Sequence, residues 1–113
     1  MLEKKYRLTK KKDFKRVFDQ GRIFGALFSA VKIKKNNLPC SRFGFVVSLK
    51  ISKKAVERNK IRRRLQEAIR LNLSKIKKGV DVAVIAKPGI KGKQYGEIEE
   101  DLIAALDKAG IIK

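Results

Sequence analysis

The stretch Ser52–Arg70, SKKAVERNKIRRRLQEAIR, sets an Arg-Asn pair one helical turn ahead of three consecutive arginines. At about 100° per residue, Asn59, Arg63, Gln66 and Arg70 fall within about 60° of one another, while Ile61, Leu65, Ala68 and Ile69 gather on a different arc. The spacing predicts a helix from about Lys53 to Asn72, with one side on an apolar core and the other turned to phosphates. The plain reading of Lys53, Lys54, Arg58, Lys60, Arg62, Arg63, Arg64 and Arg70 is a solvated face. Only Glu57 and Glu67 are available for local i,i+4 pairs, too few to balance these cations. Phosphate contact accounts for them better, because the planar fork of arginine suits phosphate oxygens. Asn59 adds an amide that both donates and accepts.

The rest of the chain agrees with an anionic partner. Thirty Lys and Arg against eleven Asp and Glu leave a charge of +19 on 113 residues, an excess that repels itself until a polyanion neutralises it. Nucleic acid fits best. Nothing resembles an apolar membrane span, a secretory h-region or a lipidation signal, which makes a membrane surface the weaker partner. The single cysteine, Cys40, forms no internal disulfide and no cysteine-based metal site, and points to a reducing, cytoplasmic setting. With no histidine in the chain, the commonest general base and the commonest zinc ligand are both missing.

Apolar content of 43% and this length predict one folded domain over residues 1–113, its first eight residues a flexible basic arm. Thr9 as N-cap, Asp13 in the first turn, Phe14, Val17 and Phe18 at helical spacing and Gly21 as the stop predict a short first helix. Ile23 to Lys35 has strand chemistry, which Gly25 bends or bulges into two short strands. After a turn at Asn36–Pro39, Arg42 to Ser48 reads as a further strand, paired with the preceding run in an antiparallel hairpin. Beyond the basic helix, Val80 to Ala86 reads as a buried strand closed by Pro88 and Gly89. The last helix carries Ile98, Leu102, Ala105, Leu106 and Ala109 on one face and ends at Gly110. Its acids, Glu97, Glu99, Glu100 and Asp101, sit at the positive end of the helix and stabilise it. Gly89-Ile90-Lys91-Gly92 imitates a GxxG clamp but follows a strand, so it reads as a turn.

Phe14, Val17, Phe18, Phe43 and Phe45 read first as core. Phe28 differs, because alternation places it with Lys32 and Lys34, and aromatic carbon interleaved with lysine suits a single nucleic-acid strand.

With Ala55, Val56, Arg58, Asn59, Ile61, Arg62 and Arg63 in place, the helix resembles the signature of the bacterial ribonuclease P protein subunit. Asp13, Phe14, Val17, Phe18 and Gly21 match that family's early motif, and Gly44, Phe45, Val47 and Ser48 match its strand before the helix. The resemblance implies an α+β single domain, α-β-β-β-α-β-α, with a central four-stranded sheet, similar to domain 2 of ribosomal protein S5, and with a left-handed crossover that contradicts the usual rule. It implies removal of the 5′ leader from precursor tRNA, with the chemistry in a catalytic RNA that supplies Mg2+. The protein itself then has no catalytic residue, no metal and no cofactor, and no obligate protein partner.

The resemblance places Asn59, Arg62 and Gln66, with Phe14 and Phe18, along a cleft for the single-stranded leader, and Phe28 and Lys32 join that cleft as the exposed sheet face. The remaining basic residues, chiefly Arg58, Lys60 and Arg63, then contact the catalytic RNA or support the site, and Lys50, Lys53, Lys54 and Arg70 complete the RNA-binding set. Gln66 stands where the family has arginine, and Leu49 replaces the first lysine of a Lys-Lys pair. The alternative is a small ribosomal protein with a structural role. A third reading, an autonomous nuclease, lacks a histidine and a carboxylate pair.

Overall fold

Val80–Ala86 is apolar at every position but Asp81, the composition of a strand covered on both faces. In the computed structural model, which describes residues 2–113, this run is the centre of a sheet. The elements follow as α1 (Lys11–Gln20), β1 (Arg22–Gly25), β2 (Ser29–Lys35), β3 (Arg42–Val46), α2 (Ala55–Asn72), β4 (Val80–Ala86) and α3 (Tyr95–Lys108). This is the expected α+β order around a four-stranded sheet. The strand order is β1-β2-β4-β3, with β4 antiparallel to β2 and parallel to β3.

The hairpin expected between the runs before and after Asn36–Pro39 does not form. β2 and β3 each pair with β4 instead, through Val31↔Val84 on one side and Phe43↔Val82 on the other. Asn36 shows why. Its Nδ2 donates to the Cys40 carbonyl at 3.1 Å and to Asp81 at 2.9 Å, and its N–H donates to the Gly79 carbonyl at 3.0 Å, so the loop is held open across the start of β4. The hairpin lies one step earlier, between β1 and β2, from Arg22↔Ile33 to Gly25↔Ala30.

Alternation along β4 divides the core. Val82 and Val84 face a large cluster with Val31, Phe43, Ile61, Leu65 and Ile69 of α2, and Ile98, Leu102 and Leu106 of α3. Ala83 faces a small cluster with Leu8 and Val17, against which Phe14 and Phe18 pack. The sheet therefore carries α1 on one face and α2 with α3 on the other. α1 begins after Lys10, and Thr9 is not its cap. Its end depends on Gly21, where a Cβ would lie 2.3 Å from the Val17 carbonyl oxygen.

The N-terminal segment is not a free arm. Leu2 and Leu8 are buried, Arg7 bridges to Phe43, and the Leu8 N–H donates to the Phe43 carbonyl at 2.9 Å. Two leucines in a basic stretch thus strap residues 2–8 along the outer edge of β3; Met1 lies outside the described residues.

Candidate nucleic-acid interface

The core face of α2 is as the spacing requires, with Ile61, Leu65, Ala68 and Ile69 buried. The remaining face is broad, about 200° of arc from Arg62 round to Arg64 at 100° per residue, and the surrounding elements split it into two flanks.

The inner flank looks across β3 to α1. Arg62 and Gln66 line a groove of about 280 Å³ whose other walls are Arg7, Leu8, Thr9, Phe14, Phe43, Gly44 and Phe45. Asn59 is exposed and outside that lining, but its Oδ1 accepts from the Nη1 of groove residue Arg62 at 2.7 Å. Gly44 forms the floor because nothing larger fits, since a Cβ there would lie 2.0 Å from Phe14 Cζ. Phe14 and Phe18, half-buried, stack with centroids 6.4 Å apart and planes at 21°. Lys32 extends the row, its Nζ 5.1 Å above the Phe18 ring and 2.8 Å from the Phe18 carbonyl oxygen.

The position of Phe14 is fixed by charge. Arg42 on β3 grips Asp81 of β4 through two bonds, at 2.8 and 2.7 Å, and reaches Asp13 in the first turn of α1 at 3.3 Å. These contacts, the Asp81 hydrogen bond foremost, hold the Arg42 guanidinium above its usual range. Asp13 and Asp81 are buried, and a pair so enclosed is costly to break. Asp13 therefore pins α1 to the sheet and turns Phe14 to the groove.

The outer flank of α2 holds Lys60, Arg63, Arg64, Glu67 and Tyr95 around a second, more open depression. Lys60 and Arg63 are exposed. Arg64 is tied down, donating to the Lys93 carbonyl at 2.7 Å, and Arg70 is paired with Glu67 through an i,i+3 contact. Glu57 reaches out of the helix to Lys91 at 3.6 Å. Arg58 lies on the core side of the first turn, where its Nη1 donates to the Ser52 carbonyl at 2.9 Å; its guanidinium braces the loop that carries exposed Lys50, Lys53 and Lys54.

Phe28 is not brought to the groove. β2 begins at Ser29, so alternation does not reach Phe28, which lies in the bend between β1 and β2. There it packs against the large cluster with Lys93 Nζ 4.7 Å over its ring. The bend is held by Asp101, which accepts from the N–H groups of Leu27 and Phe28 at 2.8 and 3.0 Å and from Ser29 Oγ at 2.8 Å. Asp101 is thus a clamp across the fold, whereas Glu97 does serve the helix end, in a capping box with Gln94. Phe45 packs against the large cluster, as read, and also lines the groove, where Arg7 joins it; spacing singled out neither as a groove residue.

A family model described as Ribonuclease P matches residues 2–110. The chain is 37% identical over 106 residues to the ribonuclease P protein component of Alkaliphilus metalliredigens, covering 94% of this chain and 95% of that protein. It is 38% identical over 109 residues to that of Clostridium botulinum (strain 657 / Type Ba4), covering 96% and 97%. Among solved structures, the RNase P protein of Staphylococcus aureus aligns with a TM-score of 0.87 at 30% identity, over 96% of this chain and 98% of that one. That of Thermotoga maritima aligns at 0.83 and 31% identity, over 90% and 96%.

Proposed function

Because the chain belongs to the ribonuclease P protein family, we propose that its inner groove receives the single-stranded 5′ leader of precursor tRNA while the outer flank of α2 meets the catalytic RNA. Membership makes the chain the protein subunit of ribonuclease P, one part of a tRNA-processing endonuclease formed with ribonuclease P RNA. A structural ribosomal role is not favoured.

The observation that supports the leader reading is the meeting of Arg62 and Gln66 with Phe14 over the floor at Gly44. A cation and an amide on one wall and aromatic carbon on the other suit a single strand, phosphate toward the helix and bases against the rings.

Hydrolysis and its magnesium ions belong, in this reading, to the RNA. Among the described residues no three acidic, cysteine or histidine side chains stand together as a metal site. The buried carboxylates are also engaged: Asp13 and Asp81 by Arg42, Asp101 by backbone N–H groups. The chain's own part is to neutralise and align, which raises the affinity of the complex for substrate and for metal ions. The setting is the cytoplasm. Leader release is measured at near-physiological magnesium with RNA alone, protein alone and both together. The pair should far exceed RNA alone and the protein alone should be inert; cleavage by RNase-free protein would overturn the assignment.

A further inference from the structure

A depression larger than the groove lies on the other side of the strap. It encloses about 590 Å³ beyond the C-terminal end of α2, within the roughly 300–1,000 Å³ of ligand sites. Tyr6, Phe43, Leu73 and Ile76 give it an apolar floor, and Lys5, Lys77, Lys78 and Lys113 stand around it with no acid among the described residues that line it. Its walls are fixed. Ser41 Oγ donates to the Lys77 carbonyl at 2.7 Å and accepts from the Val80 N–H at 3.2 Å. The Lys77 N–H donates to the Ile111 carbonyl at 2.8 Å and the Lys113 N–H to the Lys75 carbonyl at 2.7 Å.

Groove and depression share Phe43 as a wall, and consecutive residues of the strap line them in turn, Lys5 and Tyr6 the depression and Arg7, Leu8 and Thr9 the groove. The groove meets α2 at Arg62 and Gln66, and the depression begins at Leu73, just past the end of that helix. We infer that the depression is a second leader site, which takes nucleotides of the 5′ leader that extend past the strap, a base against the half-buried Tyr6 and phosphates among the lysines. A site with apolar carbon below and lysines above suits an unpaired nucleotide, and its continuity with the groove favours the strand already lying there. The inference rests on the leader reading given above.

Cys40, the only cysteine in the chain and half-exposed on the wall of the depression, makes the test direct. Ribonuclease P is reconstituted with precursor tRNAs carrying leaders of about four and about twelve nucleotides, which span the usual site sizes for single strands. The rate of Cys40 alkylation is measured in each complex, and substrate affinity is compared for the wild type and for Lys77→Glu/Lys78→Glu. The long leader alone should slow alkylation several-fold. The variant should lose on the order of tenfold in affinity for the long leader, its salt dependence falling by about 0.7 per lost contact, and keep wild-type affinity for the short one. Equal alkylation with both leaders, or equal loss for both, would overturn the inference, the latter by assigning the lysines to the catalytic RNA or the tRNA body. Arg62→Ala serves as the separate arm. If it too ignores the leader, the leader reading of the groove falls, and this extension with it.

Discussion

Gly44 is the residue on which the groove depends most closely. A methyl group there meets only the far end of the Phe14 ring, so Gly44→Ala should displace that ring at a cost of about 1–3 kcal/mol, the range for overpacking, and weaken binding of leader-bearing substrate more than of leaderless tRNA. Unfolding and the two affinities, measured together, separate this from simple damage, which would affect both substrates alike. Tyr95 makes a different prediction. Burial, with a hydrogen bond to Glu99 at 3.0 Å, pushes its hydroxyl up to about 12 from 10.0. The folded state then holds the proton more tightly than the unfolded chain, so this stabilisation is complete below pH 10 and is lost as pH rises to about 12. The stability advantage of wild type over Tyr95→Phe should shrink across that window; a constant difference would show that the hydroxyl does not titrate with folding. At this scale the sequence is least readable. Arg58 looks like its neighbours in the motif, and only the positions of Ser52 and the core reveal that its guanidinium is turned to the loop.

At the scale of elements, α2 is the clearest case, because a period of 3.6 with four apolar positions identifies both the helix and its buried face. Its split into two flanks comes from β3 and α1 on one side and α3 on the other, which no local pattern contains. The split predicts two kinds of arginine. Arg62→Ala should weaken binding only when a leader is present, whereas Arg63→Ala should weaken binding to the catalytic RNA whatever the leader, each lowering the salt slope by about 0.7. Plots of log affinity against log salt, with and without leader, check this, and identical behaviour of the two variants would abolish the distinction. α3 is equally readable as a helix, but its acids were legible only in part. Glu97 caps it, while Asp101 serves a bend more than seventy residues away in sequence. Asp101→Ala leaves two N–H groups and a hydroxyl without their acceptor and should cost at least about 2 kcal/mol in denaturant unfolding. A cost below about 0.5 kcal/mol, ordinary for a surface change, would mean that water replaces the clamp.

For the whole molecule, composition was a better guide than pattern. The charge of +19 pointed to nucleic acid without any structure, and the motifs of α1 and α2 supplied the groove residues Phe14, Arg62 and Gln66. The hairpin misreading arose because neighbours in sequence are the natural partners to assume, and the strand that separates them is encoded some forty residues later. That late arrival of β4 has a consequence in time. During synthesis, β2 and β3 have no mutual ladder to form, and the β1–β2 hairpin by itself is marginal. Until residue 86 has left the ribosome, neither apolar face of the sheet has a centre to close on. Folding must wait for β4 and then proceed through long-range pairing, the slower kind. A chain halted at Gly79 should show no cooperative melting, and one carried through α3 should show a single transition. The nascent protein thus exposes its arginine helix before it owns a core, and the groove beside that helix takes shape only once β4 has been made.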